Sequence, residues 1–275
     1  MTRTQILKRL HDKAQAAQPI IGAGAGIGLS AKCAEAAGLD FVVIYNSGRY
    51  RMAGRGSIAG LMPYGDANQI VVEMAAEVLP VVRHTPVIAG VCGSDPFRLM
   101  PAFLRQLSDM GFAGVQNYPT VCLFEGMVRT NLEETGMGFD REVAMIHEAH
   151  RLDLLTVTYV ATPNEARAMA EAGADLLVPH MGLTTSGSIG AKTAITLDEA
   201  VQRIDEMGQA AREVNSEILV LCHGGPIAGP DDVAYVFERA RGVAGFLGAS
   251  SMERLPTETG MTEHMGRFAG LRLKP

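Results

Sequence analysis

The sequence contains no tryptophan, few aromatic residues (5%) and only four cysteines. Those cysteines lie far apart and form no C-x-x-C pair, so neither a zinc motif nor a dithiol redox motif is indicated. Each of them lies in an apolar run, where a buried, reduced thiol is the expected state. The cysteines are Cys33, Cys92, Cys122 and Cys222.

Long apolar runs and an excess of basic charge are also missing. No run approaches the roughly 20 residues of a membrane-spanning helix, and the first 18 residues lack the apolar core of a signal peptide. The net charge of −6 argues against nucleic acid or an anionic membrane as a partner. A hydrophobic content of 47% excludes disorder. We therefore expect a globular, cytoplasmic protein that binds a small anionic molecule.

Glycine is abundant (31 residues), and eight short apolar runs alternate with amphipathic segments of helical spacing. The runs are almost continuously hydrophobic, as parallel strands buried on both faces are. They cover residues 19–24, 41–46, 86–92, 114–118, 155–160, 176–180, 218–223 and 245–250. Eight such units predict an α/β fold, a single (β/α)₈ TIM barrel. The alternative is a doubly wound open sheet, but GAGAGIG at 22–28 departs from the G-x-G-x-x-G spacing of a dinucleotide site.

One domain is predicted for the whole chain, 1–275. It comprises an N-terminal helix (1–18), the barrel strands and helices (19–255) and a C-terminal helix (256–275). The two outer helices carry apolar faces that could cover the barrel floor or pack on another subunit. We therefore also predict a homo-oligomer.

Three long loops follow predicted strands, at 47–65, 119–139 and 181–196. In a barrel such loops lie on the C-terminal face, where active sites are built. The first is polar and cationic. Arginine forks bind carboxylate or phosphate, although a solvated basic loop has the same composition. Its candidate ligand-binding residues are Ser47, Gly48, Arg49 and Arg51.

His180 and His223 end the sixth and seventh apolar runs, and only these two of seven histidines end a run. Histidine titrates near neutral pH, which suits proton transfer. A structural hydrogen bond at a strand end is the alternative. We predict that one of the two is a catalytic base.

Further candidates follow other strands. Asn117 is a polar residue within the fourth run; it needs a partner, and we predict that it binds substrate. Glu125, next to the apolar Phe124, could have a raised pKa and act as an acid or base. Asp95, after the third run, could cap a helix or bind a metal ion. Backbone N–H groups after the last two strands could hold a second anionic group, although close packing at the barrel rim is the alternative. The residues are Gly224, Gly225, Ser250 and Ser251.

Several unusual motifs resemble the phosphoenolpyruvate-hydrolase-like family of TIM barrels. They include YNSGRYRMAGRGSIAGLMPYGDAN (45–68), HMGLTTSGSIGAKTA (180–194) and LCHGGPIAGP (221–230). That family is named by analogy with the phosphoenolpyruvate mutase and isocitrate lyase superfamily, whose ligand-binding Ser-Gly is similar to Ser47-Gly48. The third strand lacks the superfamily's metal-binding aspartates, and its K-x-x-C-G loop is missing.

The resemblance implies a hydrolase or lyase acting on a small keto acid or phosphorylated keto acid, such as phosphonopyruvate or phosphoenolpyruvate, through an enolate. If Mg²⁺ or another divalent metal takes part, Asp95 and Glu125 are its expected protein ligands. The alternative is a small-anion-binding or signalling barrel without turnover. A Schiff-base aldolase is not indicated, because Lys192 is the only lysine in the long loops.

Overall fold

Each of the eight apolar runs overlaps one strand of a closed parallel barrel, so the predicted fold class is confirmed. The computed structural model describes residues 1–274. The strands are β1 (Ile20–Ala25), β2 (Phe41–Ile44), β3 (Val87–Val91), β4 (Gly114–Asn117), β5 (Leu155–Val160), β6 (Leu176–Pro179), β7 (Leu219–Cys222) and β8 (Val243–Gly248). They pair in chain order, and β8 closes the barrel against β1.

The strands are apolar on both faces because the barrel interior covers one face and the helices cover the other. All six residues of β5 are buried, for example. The helices are α1 (Arg3–Gln15), α2 (Gly28–Ala36), α3 (Asn46–Met52), α4 (Ala67–Val78), α5 (Met100–Met110), α6 (Gly126–Glu134), α7 (Phe139–Arg151), α8 (Pro163–Glu171), α9 (Leu197–Arg212), α10 (Pro230–Arg239) and α11 (Arg254–Ala269). Short 3₁₀ turns lie at Ser57–Leu61, Leu79–Val81 and Val121–Leu123. Among residues 1–274, no helix combines the length and apolarity needed to cross a bilayer.

Helix α1 covers the floor of the barrel. Arg3 donates from Nε and Nη2 to the two carboxylate oxygens of Asp175, at 2.9 and 2.6 Å, just before β6. Lys13 lies 2.6 Å from the carboxylate of Asp40, just before β2. Both aspartates lie at the N-terminal ends of strands, so these ion pairs hold the helix across the end opposite the loops.

Helix α11 does not cover the floor. It begins at Arg254, whose Nη2 donates to Ser186 O (3.0 Å) in the loop after β6. Of its residues only Arg254 is buried, and its large apolar side chains are exposed. These exposed residues are Met261, Met265 and Phe268.

The glycines at the end of β1 allow close packing against α3. A Cβ on Gly26 would lie 2.1 Å from Gly48 O, and a Cβ on Gly48 would lie 2.8 Å from Ala25 O. Neither position has room for a side chain. Part of GAGAGIG is therefore explained by packing of the β1 end on α3.

Candidate active site

A small cavity lies at the C-terminal ends of the strands. Three tyrosines, Tyr45, Tyr118 and Tyr159, form part of its wall, together with His180 and His223. Its volume of about 30 Å³ has room for about two water molecules. The cavity therefore combines an apolar, aromatic surround with a few convergent polar groups, as ligand sites do.

His180 and His223 face each other across adjacent strands. They directly follow β6 and β7 and pair in register as a parallel bridge. Their ring centroids are 4.7 Å apart, and the ring of Tyr159 lies 4.9 Å from each. The barrel register, rather than a local sequence motif, brings the two imidazoles together.

The backbone assigns opposite tautomers to the two neutral rings. Nδ1 of His223 lies 2.6 Å from Leu247 O, and because a carbonyl only accepts, this nitrogen carries the proton. Nδ1 of His180 accepts a hydrogen bond from the N–H of Gly182 at 3.0 Å, so this nitrogen carries no proton. His223 therefore has an unprotonated Nε2, whereas His180 has an Nε2–H donor.

Both rings are uncharged at neutral pH. The pKa of His223 is lowered to about 4, mainly by burial; the bond to Leu247 O opposes this effect, and the nearby Arg51 charge adds to it. Burial, together with His223, lowers the pKa of His180 well below its ordinary value. The site thus presents one nitrogen that can accept a proton and one N–H that can donate a hydrogen bond.

A buried ion pair forms another side of the cavity. Nη2 of Arg51 lies 2.9 Å from a carboxylate oxygen of Glu253, and each side chain is only 1% exposed. The other oxygen of Glu253 accepts from the N–H of Gly26 at 2.6 Å. Although burial alone would lower the pKa of Arg51, Tyr45 and Glu253 raise it, so the guanidinium keeps its charge. Its Nη1 lies 3.4 Å from Ser47 Oγ, towards the cavity.

Hydroxyl groups complete the polar lining. The cavity is lined by Ser47, Ser57 and Ser250, and the last two hydroxyls lie 3.1 Å apart. The hydroxyl of Tyr118 donates to Ser57 O at 3.2 Å. These bonds hold the turn Ser57–Leu61 against the cavity.

Five of the predicted site residues meet in this cavity, although they come from four different loops. They are Ser47, Arg51, His180, His223 and Ser250. Their presence in one cavity agrees with the prediction that they share a site. The role of each remains a prediction.

Three others lie elsewhere. Nη1 of Arg49 lies 2.6 Å from the carboxylate of Glu73, outside the cavity. The N–H of Gly48 donates to Tyr45 O at 2.9 Å within the first turn of α3, so it is not free for a ligand. Ser251 is not among the residues that line the cavity.

The glycines after β7 hold two loops together. The N–H of Gly225 donates to Gly182 O at 2.8 Å, and a Cβ there would lie 2.2 Å from Met181 O. Gly224 has a positive φ of 78° and also packs against Gly182. The N–H of Gly225 is thus occupied, which corrects the prediction that it binds an anion; anion binding by the N–H of Gly224 stays a prediction.

Asn117 and Glu125 also need correction. The amide of Asn117 donates to Glu142 on α7 at 2.7 Å and accepts from the N–H of Tyr159 at 2.7 Å. Asn117 therefore joins β4, β5 and α7 outside the barrel interior. Burial raises the pKa of Glu142, its hydrogen-bond partner, to about 8. Glu125 is exposed at the start of α6 and lies outside the cavity, so the burial expected for an acid or base is absent.

Asp95 does not form a magnesium site with its neighbours. Its Oδ2 accepts a hydrogen bond from Asn68 Nδ2 at 2.9 Å and lies 3.1 Å from Nε of Arg98. Its Oδ1 accepts from the N–H of Phe97 at 2.9 Å. Mg²⁺ requires several oxygen ligands in near-octahedral geometry. Among residues 1–274, no three His, Cys, Asp or Glu side chains are placed to hold a metal ion together. These residues do not fit the predicted metal site.

The three tyrosines and Ser57 are cavity residues that the sequence reasoning missed as site residues. Tyr45, Tyr118 and Tyr159 lie at or near the C-terminal ends of β2, β4 and β5. Position at a strand end was the available signal, but tyrosine at such a position is equally common in a core. Ser57 gave no signal, because only the folded loop brings it beside Ser250.

A (β/α)₈ barrel with a buried polar cavity at the C-terminal ends of its strands has the architecture on which TIM-barrel active sites are built. The chain belongs to the phosphoenolpyruvate hydrolase-like family, which matches residues 5–271. It is 58% identical over 272 residues to two tomato (Solanum lycopersicum) proteins, the ToMV susceptible protein tm-1(GCR26) and the ToMV resistance protein Tm-1(GCR237). Those matches cover 99% of this chain and 36% of each relative, so the chain spans about a third of their length.

Solved structures show the same fold at low sequence identity. Oxaloacetate acetylhydrolase has a TM-score of 0.59 and 14% identity, covering 97% of this chain and 89% of its own. The 2,3-dimethylmalate lyase, a member of the PEP mutase/isocitrate lyase superfamily, has a TM-score of 0.59 and 18% identity, covering 100% and 93%. Phosphonopyruvate hydrolase in complex with oxalate and Mg²⁺ has a TM-score of 0.58 and 17% identity, covering 99% and 89%.

Proposed function

We propose that the protein is a hydrolase or lyase that cleaves a small 2-oxo acid, or a phosphorylated relative of one, through an enolate. The observation that carries the proposal is the pair of buried, neutral histidines with opposite tautomers in one cavity. The names of the structural neighbours, an acetylhydrolase, a lyase and a phosphonopyruvate hydrolase, support the same reaction class. Phosphonopyruvate and phosphoenolpyruvate are therefore among the candidate substrates.

The substrate carboxylate would bind beside Arg51. Its guanidinium keeps its charge, and the N–H groups that do not face Glu253 can donate to a carboxylate. Nε of Arg51 is buried and has no hydrogen-bond partner among residues 1–274. The hydroxyls of Ser47 and Ser250 would supply the remaining donors.

The two histidines would divide the proton chemistry. His223 Nε2 takes a proton from an attacking water in a hydrolase, or from a substrate hydroxyl in a lyase. In the hydrolase the water oxygen bonds to the group carried by the carbon next to the keto group, and in the lyase the hydroxyl oxygen of that group becomes a carbonyl oxygen. The bond from this group to the carbon then breaks, the group leaves, and the electron pair of the bond forms the enolate. The Nε2–H of His180 donates to the developing enolate oxygen, where a fixed donor stabilises the charge of the transition state. The proton held by His223 then returns to the product. No step passes through a metal ion, because the residues around Asp95 do not fit one.

The test is to incubate the protein with oxaloacetate, phosphonopyruvate and unbranched 2-oxo acids and to follow the products by NMR. We expect turnover of at least one compound, and a loss of at least about a hundredfold in His223→Gln, since a general base contributes roughly that much. His84→Gln, at an exposed histidine, is the matched control and should be unchanged. Binding without any product would show that the barrel is an anion-binding module instead of an enzyme.

A homo-oligomer in the cytoplasm is also part of this proposal. The exposed apolar residues of α11 are the surface that supports it, since such residues clustered on one helix mark interaction sites. Light scattering should give a mass above that of the 29.2 kDa chain. Phe268→Glu should lower that mass, and a monomeric wild type would refute the assembly.

A further inference from the structure

A second, apolar hollow lies directly beside the cavity. It is bounded by the segments that follow β2, β3 and β4, and its volume is about 600 Å³. We call it the side groove. Apolar side chains dominate its lining, and several are well exposed, among them Phe97 at 95% and Val128 at 54%. The other large apolar residues of the side groove are Leu61, Met62, Val121, Phe124, Leu132 and Met137.

Only a thin wall separates the side groove from the cavity. The consecutive residues Asn46 and Ser47 line the groove and the cavity respectively. Gly60 fills the space between them: a Cβ there would lie 2.7 Å from Ser47 Cβ, 2.8 Å from Tyr118 OH and 3.0 Å from Asn46 Oδ1. At this point the wall is one glycine thick, and it belongs to the turn Ser57–Leu61.

The cavity is too small for a whole substrate. Its roughly 30 Å³ holds about two water molecules, which is close to the size of a carboxylate group. The side groove, in contrast, has the volume of an ordinary ligand site. Oδ1 of Asn46 is also buried there without a hydrogen-bond partner among residues 1–274, so a polar acceptor stands at the junction of the two spaces.

We propose that the side groove binds the apolar side chain of a 2-oxo acid whose carboxylate end occupies the cavity. The substrate class is thereby narrowed to 2-oxo acids with a hydrocarbon substituent several carbons long. This inference rests on the proposed function. Because the wall at Gly60 separates the two spaces, one molecule can occupy both only if the turn Ser57–Leu61 moves, and the inference includes this movement. The apolar tail gains affinity by leaving water for the groove.

The test compares the binding of 2-oxobutanoate and 2-oxooctanoate by calorimetry. Each buried methylene contributes about threefold to fourfold in affinity, and the longer acid has four more. We expect 2-oxooctanoate to bind at least about tenfold more tightly. In Val128→Glu, which places a charge in the groove at an exposed position, this advantage should disappear while 2-oxobutanoate binds as before.

The matched control is Val214→Glu, the same substitution at an exposed valine at the end of α9, outside both spaces. It should leave the binding of both acids unchanged. Equal affinity for the two acids would refute the side groove as a substrate site and leave the keto-acid function standing. If neither acid binds, this inference is refuted, whereas the proposed function is decided by the separate turnover test with oxaloacetate and phosphonopyruvate. An advantage that survives in Val128→Glu, or disappears equally in Val214→Glu, would also overturn the assignment.

Discussion

Replacing Glu253 by glutamine should strongly destabilise the protein. The substitution keeps the shape of the side chain and an acceptor for the N–H of Gly26, but it removes the only carboxylate paired with Arg51 among residues 1–274. The guanidinium then remains charged in a place where both side chains are 1% exposed. Only the small cavity beside Arg51 can then offer water to this charge in place of the carboxylate.

The expected cost follows from this burial. Breaking a buried ion pair by removing one partner costs about 3–5 kcal/mol, a large part of the roughly 5–15 kcal/mol by which proteins are stable. At about 2–4 °C per kcal/mol for a large domain, the melting temperature should fall by about 6–20 °C. Removing both charges with Arg51→Met and Glu253→Leu should cost less than the sum of the single substitutions, because no unpaired charge remains.

Urea denaturation monitored by circular dichroism measures the free energy of unfolding directly, provided that the slope with denaturant is unchanged. The control is Glu73→Gln, which breaks the surface pair with Arg49 (2.6 Å). It should leave the free energy of unfolding almost unchanged, as the loss of exposed pairs usually does. A loss below about 1 kcal/mol in Glu253→Gln would refute the reasoning, since it would mean that Arg51 finds another partner or water.

Three further predictions follow from the geometry. Because burial lowers the pKa of His223 to about 4, turnover should fall as the pH drops through about 4, and a pH–rate profile with an acid limb near 6.5 would contradict its role as the base. Burial raises the pKa of Glu142 from 4.5 to about 8. Between these pH values the carboxyl group keeps its proton in the folded protein and loses it in the unfolded chain. The free energy of unfolding should therefore decrease as the pH rises. Urea titrations from pH 6.5 to 8 should show this decrease in the wild type and not in Glu142→Gln. Gly48→Ala should lower the melting temperature because its Cβ would lie 2.8 Å from Ala25 O, whereas Gly260→Ala, with no atom within 4 Å, should not.

The strands could be predicted because a parallel barrel buries both faces of each strand. Every residue of β3 and β5 is buried, so the hydrophobic runs show where the strands lie without any knowledge of their partners. The two histidines were found for a related reason. A polar residue that ends such a run must lie at the C-terminal rim, and the register then pairs His180 with His223.

The other site residues depend on contacts between distant parts of the chain. Arg49 and Arg51 look equivalent in sequence, but Arg51 is directed inwards by Glu253, which is 202 residues away. Asn117 looked like a ligand-binding residue, yet its amide is bonded to Glu142 and to the backbone of β5. Local pattern cannot indicate which polar groups are already occupied by a partner from another element.

The tautomers of the histidine pair are set by main-chain atoms, the carbonyl of Leu247 and the N–H of Gly182. Any residue supplies the carbonyl at position 247, so substitution of that side chain leaves the bond to His223 intact. Gly182 has a φ of 96°, a conformation that other residues rarely adopt, so the bond to His180 depends on the backbone conformation of that glycine. Substitutions elsewhere in the cavity wall around the imidazoles can therefore change which substrate is bound. His223 remains the proton acceptor and His180 the hydrogen-bond donor. A barrel with this histidine pair is suited to the evolution of new substrate specificities. The reason is that the side chains that select the substrate do not decide which histidine accepts a proton and which donates one.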